Sequence, residues 1–117
     1  MHGLLLVDHG SRRSEANAMV SELAKRIAGL RPDQLVAFAH LELAEPSIAD
    51  GVAELARHGA TAITVLLLFL SDGRHAREDV PRLAEAAATA HGIAVRVGPP
   101  LGVSDALAEL LLARAGC

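Results

Sequence analysis

Two histidines in this chain of 117 residues stand where a side chain could do chemistry. His9 lies in VDHGSRR (7–13), straight after an apolar run and straight before a glycine. His75 ends SDGRH (71–75), a short loop that follows the most apolar stretch of the chain. A neutral imidazole is the commonest nitrogen ligand of divalent transition metals, and it can take a proton near neutral pH. Two histidines so far apart form no local metal motif, so their spacing alone fits equally a pair that merely bonds backbone. Glu42 could add a third ligand or accept protons. Glu45 fits a capping role, because acids near a helix N-terminus are favoured by its dipole. Arg12, Arg13, Arg74 and Arg77 flank the two histidines and make up four of the 11 Lys and Arg residues. Arginine forks grip carboxylates bidentately. Two metal-type histidines among four arginines suit a polyanionic ligand that also carries a metal.

The remaining four histidines have plainer readings. His58 and His91 each precede a glycine that ends a predicted helix, where an imidazole bonds the last carbonyls and complements the dipole. His2 is expected to fray with the N-terminus. His40 falls inside a predicted strand, which favours a satisfied core residue over a site residue.

The elements that must position these residues alternate. Gly3–Val7 reads as a buried strand. Ala16, Met19, Val20, Leu23 and Ile27 recur at helical spacing and predict a helix from Ser14 to Gly29, with Ser11 or Ser14 as its cap. Arg31-Pro32-Asp33 is a turn, and Leu35–Leu41 a second strand. Glu45-Pro46-Ser47 opens a second helix, with Pro46 in its first turn, Ile48, Val52 and Leu55 on one face and Gly59 as its stop. Ala62–Leu70, AITVLLLFL, is apolar throughout, as a central strand covered on both faces would be. A third helix runs from Ala76 to His91 with Val80, Leu83, Ala84 and Ala87 inward. Ile93–Val97 is a fourth strand, and Val103, Leu107, Leu110 and Leu111 form the stripe of a last helix. Gly10 and Gly73 permit tight turns in the two histidine loops.

Such β-α alternation predicts an α/β fold with a parallel sheet, helices on both faces and right-handed crossovers. In a sheet of order 2-1-3-4, strands one and three are neighbours. Ligands of such sheets bind beyond the carboxyl ends of the strands, which is where His9, Glu42 and His75 fall. No linker, repeat or low-complexity segment divides residues 1–117, so one domain is expected.

Composition narrows the function. The chain is 51% hydrophobic with two Phe and no Trp or Tyr, so Leu, Val, Ile and Ala must build the core. Scarce aromatics argue against stacking platforms for single-stranded nucleic acid. A net charge of −3 with no basic run beyond Arg12-Arg13 argues against a general nucleic-acid or anionic-membrane binder. The one cysteine, Cys117, has no internal disulfide partner and suits a reducing compartment. MHGLLLVDHG is too short in its apolar part for a signal peptide or a membrane span. A cytoplasmic location is expected.

VDHGSRR, FAHLELAEPSIADGV and GATAITVLLLFLSDGRHAREDVP, in that order, resemble the sirohydrochlorin chelatase family of the CbiX and SirB type, across nearly the whole chain. The resemblance implies the chelatase-like fold and a class II chelatase. That activity inserts cobalt, iron or nickel as the divalent ion into sirohydrochlorin, a tetrapyrrole with eight carboxylates, on routes of the cobalamin or sirohaem type, without an organic cofactor. It places the family's two histidines on His9 and His75, as metal ligands and proton acceptors, and its acid on Glu42. Arg12, Arg13, Arg74 and Arg77 would hold the peripheral carboxylates, with Ser11, Leu70, Ser71 and Gly73 beside the ring. Resemblance to the short form of the family implies a homodimer around a shared cleft, with no nucleic-acid or membrane partner. Which histidine is base and which is ligand stays open, as does the metal. A non-catalytic tetrapyrrole or metal carrier of the same fold is the alternative. A histidine phosphatase is disfavoured because Asp8 stands where an arginine should precede the histidine. A dinucleotide-binding protein is disfavoured because no G-x-G-x-x-G follows the first strand.

Overall fold

The computed structural model describes every residue but Asp72, and every described side chain but those of His75 and Ala76. Four strands form one parallel sheet: β1 (His2–Asp8), β2 (Leu35–His40), β3 (Ala62–Leu67) and β4 (Ala94–Val97), in the order β2-β1-β3-β4. This is the predicted order. β1 and β3 sit in the middle, which is why their sequences are apolar on both faces: Leu5, Val7 and Val65 are fully buried and Leu6 nearly so.

Three helices cover the sheet: α1 (Ser14–Leu30), α2 (Ile48–Arg57) and α3 (Val80–Ala90). Successive strand residues alternate between faces. Leu5, Val7, Ala39, Ile63, Val65 and Leu67 therefore meet Ile48, Val52 and Leu55 of α2 and Val80 and Ala84 of α3. On the other face Leu6, Val36, Phe38, Leu66 and Leu68 meet Val20, Leu23, Ala24 and Ile27 of α1. Each fully buried Leu or Ile contributes roughly 1.5–3 kcal/mol. A fourth helix, α4 (Asp105–Ala115), buries none of its residues.

Several local expectations are corrected. Pro46 lies before α2, not in its first turn; Ser47 is the cap instead. The Asp50 N–H donates to the Ser47 hydroxyl at 3.1 Å and the Ser47 N–H donates to the Asp50 carboxylate at 3.2 Å. That reciprocal pair takes the capping role assigned to Glu45. Replacing Ser47 by alanine is expected to lower stability by about 1 kcal/mol, read from urea unfolding. Neither Ser11 nor Ser14 caps α1, whose cap position is Arg13 with no side-chain capping bond. Asn17 holds that loop instead, accepting the Ser11 N–H at 3.0 Å and donating to the Ser11 carbonyl at 2.7 Å.

Met19 points to solvent, 72% exposed, because the inward stripe of α1 runs through Val20 and Ala24. β3 ends at Leu67, three residues early, and one π-helical turn over His75–Asp79 precedes α3 where a single helix was predicted. Such turns recur at functional sites. His2 is not frayed: it opens β1, and its Nε2 lies 2.8 Å from the Thr64 hydroxyl. His58 and His91 are the C-cap residues of α2 and α3, as expected, but the ring of His58 bonds the Glu54 carboxylate at 2.9 Å, not the last carbonyls. With the Arg57 guanidinium, it holds the Glu54 carboxyl below its usual range.

Candidate active site

The register brings the carboxyl ends of three strands level. Asp8 lies opposite His40, and Val7 opposite Leu67. The ladders continue past the strand ends. The Leu41 N–H donates to the Asp8 carbonyl at 2.9 Å, the Glu42 N–H to the His9 carbonyl at 3.1 Å, and the Leu68 N–H to the Val7 carbonyl at 2.8 Å. His9, Glu42 and the residues after Leu68 are thus neighbours because their backbones are bonded side by side.

Their side chains converge accordingly. His9 Nδ1 lies 3.5 Å from Glu42 Oε1, and both side chains are about half exposed, at 49% and 52%. The ring of Phe69 stands beside His9 with centroids 6.0 Å apart. Phe69 was not among the predicted site residues; its signal is that one of only two aromatic residues of the chain follows the most apolar strand. An exposed imidazole beside a carboxylate and an aromatic ring can hold a cation or accept a proton.

Gly10 is what lets the loops approach. Its φ is +94°, and a Cβ there would fall 1.8 Å from the Glu42 carbonyl oxygen. Gly73 needs no such freedom, since among the described residues nothing lies within 4 Å of a Cβ placed there and its φ is not in the left-handed region.

Beneath His9 lies a polar pair that the sequence reading did not join. His40 is 1% exposed, and its Nδ1 sits 2.5 Å from Asp8 Oδ1. Among the described residues its buried Nε2 has no hydrogen-bond partner. His40 is thus the expected core residue, though only half satisfied. Asp8→Ala should cost about 1–3 kcal/mol in urea unfolding, because it strands a buried imidazole nitrogen. Asp8→Ala with His40→Phe should recover most of that loss, since no polar group is then orphaned.

The arginines lie in the loops at the same end of the sheet. Arg12 is exposed, Arg13 pairs with Glu15 at 3.3 Å, and Arg74 with Glu78 at 3.5 Å. A backbone N–H first, and then Arg13 and Ser14, hold the Glu15 carboxyl below its usual range. The small stability this lends is present above the ordinary carboxylate range and fades as pH falls through the lowered value. Arg77 is exposed and lines a cleft of about 390 Å³ with Leu67, Pro81, Val97 and Pro99. Ser11 is clamped by Asn17. Leu70 and Ser71 are exposed and line a separate apolar cavity of about 600 Å³ with Pro100, Val103, Leu107 and Leu111.

His75 opens the π-helical turn after β3; its side chain lies outside those described, so its predicted meeting with His9 does too. Among the described residues, no group of three His, Cys, Asp or Glu side chains could hold a metal ion. Nor, among them, is any helix long and apolar enough to cross a membrane.

A parallel 2-1-3-4 sheet with a histidine and a carboxylate at the carboxyl ends of adjacent strands defines an α/β protein with its candidate site at the carboxyl edge of the sheet. The CbiX family profile matches residues 3–116. The chain belongs to the CbiX family. It is 40% identical over 110 residues to the chloroplastic sirohydrochlorin ferrochelatase of Arabidopsis thaliana, covering 93% of this chain and 49% of that protein. It is 34% identical over 122 residues to the sirohydrochlorin cobaltochelatase of Methanococcoides burtonii, covering 97% and 93%. The cobalt complex of the sirohydrochlorin chelatase SirB from Bacillus subtilis superposes with a TM-score of 0.88 at 28% identity, over 98% of this chain and 50% of that one. The chain thus spans about half the length of the plant and Bacillus relatives and nearly all of the archaeal one.

Proposed function

We propose that this chain, as one chelatase unit over residues 1–117, inserts a divalent metal ion into sirohydrochlorin. The observation that carries the reading is the His9–Glu42 pair at the carboxyl ends of β1 and β2. Insertion exchanges two pyrrolic protons for one metal ion, so the site must strip water from the metal and accept protons. With Glu42 ionised and facing Nδ1, the tautomer with its proton on Nδ1 is favoured and Nε2 carries the lone pair. Nε2 of His9 then takes a pyrrolic proton, and the Glu42 charge stabilises the imidazolium that forms. His75 is assigned the second nitrogen, for metal or proton. Phe69 and Leu70 offer apolar surface to the macrocycle. Arg12, Arg13, Arg74 and Arg77 receive its carboxylates, and Ser11, Ser71 and Gly73 lie along the same loops. No organic cofactor enters the scheme. The ion is substrate, and cobalt, iron and nickel are all admitted, since nitrogen ligands alone discriminate poorly among them. We assign the protein to the cytoplasm and to a homodimer.

The test is anaerobic metallation of sirohydrochlorin followed by its visible absorption, with each metal against the uncatalysed rate. Many turnovers per chain are expected, and the relative rates rank the metals. A spectral change that stops at one equivalent would establish a carrier instead. No acceleration by folded protein with any of the three metals would overturn the reading.

A further inference from the structure

The loop between β2 and α2 turns at a residue badly suited to the turn. Past β2 the sequence reads Leu41-Glu42-Leu43. Leu41 packs against the core under α2 and α3, and Glu42 faces His9. Strand alternation would return Leu43 to the side of Leu41. Instead the chain turns at Leu43 with a φ of +69°. Among the described residues it is the one non-glycine with a positive φ. Its side chain is turned outward and is 54% exposed.

Both features are unfavourable by themselves. A Cβ crowds the backbone at positive φ, so a bulky side chain is an outlier there, whereas glycine adopts it freely. A leucine left in water gains nothing from burial. Strain of this kind persists only where the surroundings hold it, and it collects at ligand sites. The neighbours of Leu43 point to the ligand. It directly follows Glu42, whose carboxylate lies 3.5 Å from His9. β1, which leads into His9, runs between β2 and β3. Leu43 therefore lies beyond β2 on one side of His9, and Leu70, 66% exposed, beyond β3 on the other. β2 and β3 are two strand spacings apart, about 10 Å. A metal ion alone cannot bridge that span. A tetrapyrrole disc can rest on both leucines with its nitrogens over His9.

We infer that Leu43 is a substrate-contacting residue, whose side chain bears on the macrocycle opposite Leu70 and holds it against His9. The strained backbone is what turns this leucine toward the ring instead of the core. The inference rests on the chelatase reading and adds a specificity element to it. Leu43 selects for the flat apolar ring, the arginines for its carboxylates, and Leu43 is indifferent to the metal.

The test is anaerobic titration of metal-free sirohydrochlorin with the full chain, read by its fluorescence, for the native protein and three variants. Leu43→Gly removes the side chain and the strain together. Leu43→Gln keeps the length and the strain but loses the apolar surface. Leu43→Met keeps the apolar surface. The Gly and Gln variants should bind about tenfold more weakly, the scale set by covering half a leucine, and the Met variant within about threefold of the native chain. The Gly variant should unfold in urea no earlier than the native chain, because relief of strain offsets the added freedom of the unfolded state. Weaker binding at undiminished stability is a pattern that a purely structural leucine does not produce. In metallation, KM for sirohydrochlorin should rise in the Gly and Gln variants while KM for the metal stays put. Native-like binding by both variants would overturn the contact and leave the chelatase standing. So would a Gly variant that unfolds well before the native chain, since the leucine then serves the fold. The expected binding pattern without turnover by the native chain upholds the contact and rejects the enzyme in favour of a carrier. A native chain that binds no sirohydrochlorin overturns both.

Discussion

His9→Ala is expected to slow metallation of sirohydrochlorin by about 10²- to 10⁴-fold, the range over which a positioned general base acts. That is roughly 3–5 kcal/mol of activation free energy. The size follows from the proposed role: without the imidazole, the pyrrolic proton assigned to His9 must leave to water or to a group not backed by Glu42. The side chain is half exposed, so the variant should fold as the parent does. Anaerobic rates with saturating metal, alongside the unfolding curve, separate the two effects. Glu42→Gln is the informative companion. It keeps the shape but removes the charge facing Nδ1, so it should cost less than His9→Ala. If His9→Ala falls within threefold of the parent rate, His9 is not the base.

Gly10→Ala should destabilise the fold by about 3 kcal/mol or more. The positive φ alone costs of order 1–3 kcal/mol for any residue with a Cβ. The new methyl would also lie 1.8 Å from the Glu42 carbonyl oxygen, a backbone atom that cannot rotate away. Relief requires the Glu42 backbone to move, which breaks its bond to the His9 carbonyl and parts Glu42 from His9. Stability and metallation should therefore fall together, the first read in urea, the second under conditions where the variant is still folded. A loss under about 1 kcal/mol would show that the loop relaxes freely. Gly73→Ala, where nothing among the described residues stands within 4 Å, is the matched control for stability and should be nearly silent in urea.

Much of this architecture was legible in the chain itself. Apolar runs of strand length alternate with stripes of helical spacing, and that alternation determines a parallel sheet with crossovers. Since such sheets bind ligands at their carboxyl edge, His9 and Glu42 could be singled out from their places after the first and second strands. The motifs VDHGSRR and ELAEPSI did the rest, pointing to the family whose profile matches the chain.

What the tertiary structure alone decided is the set of contacts between residues distant in sequence. Asp8 and His40 are joined because β1 and β2 pair in one register; a shift of one residue would send the two side chains to opposite faces. Phe69 stands against His9, and Gly10 against Glu42, for the same reason. The stripe of α4 was read correctly as apolar, yet periodicity says only that a face wants cover, not what covers it. Local sequence determines which elements form and which side of each is apolar. Register and docking depend on the summed packing of many distant residues, and these determined the site's neighbours and left α4 uncovered in the single chain.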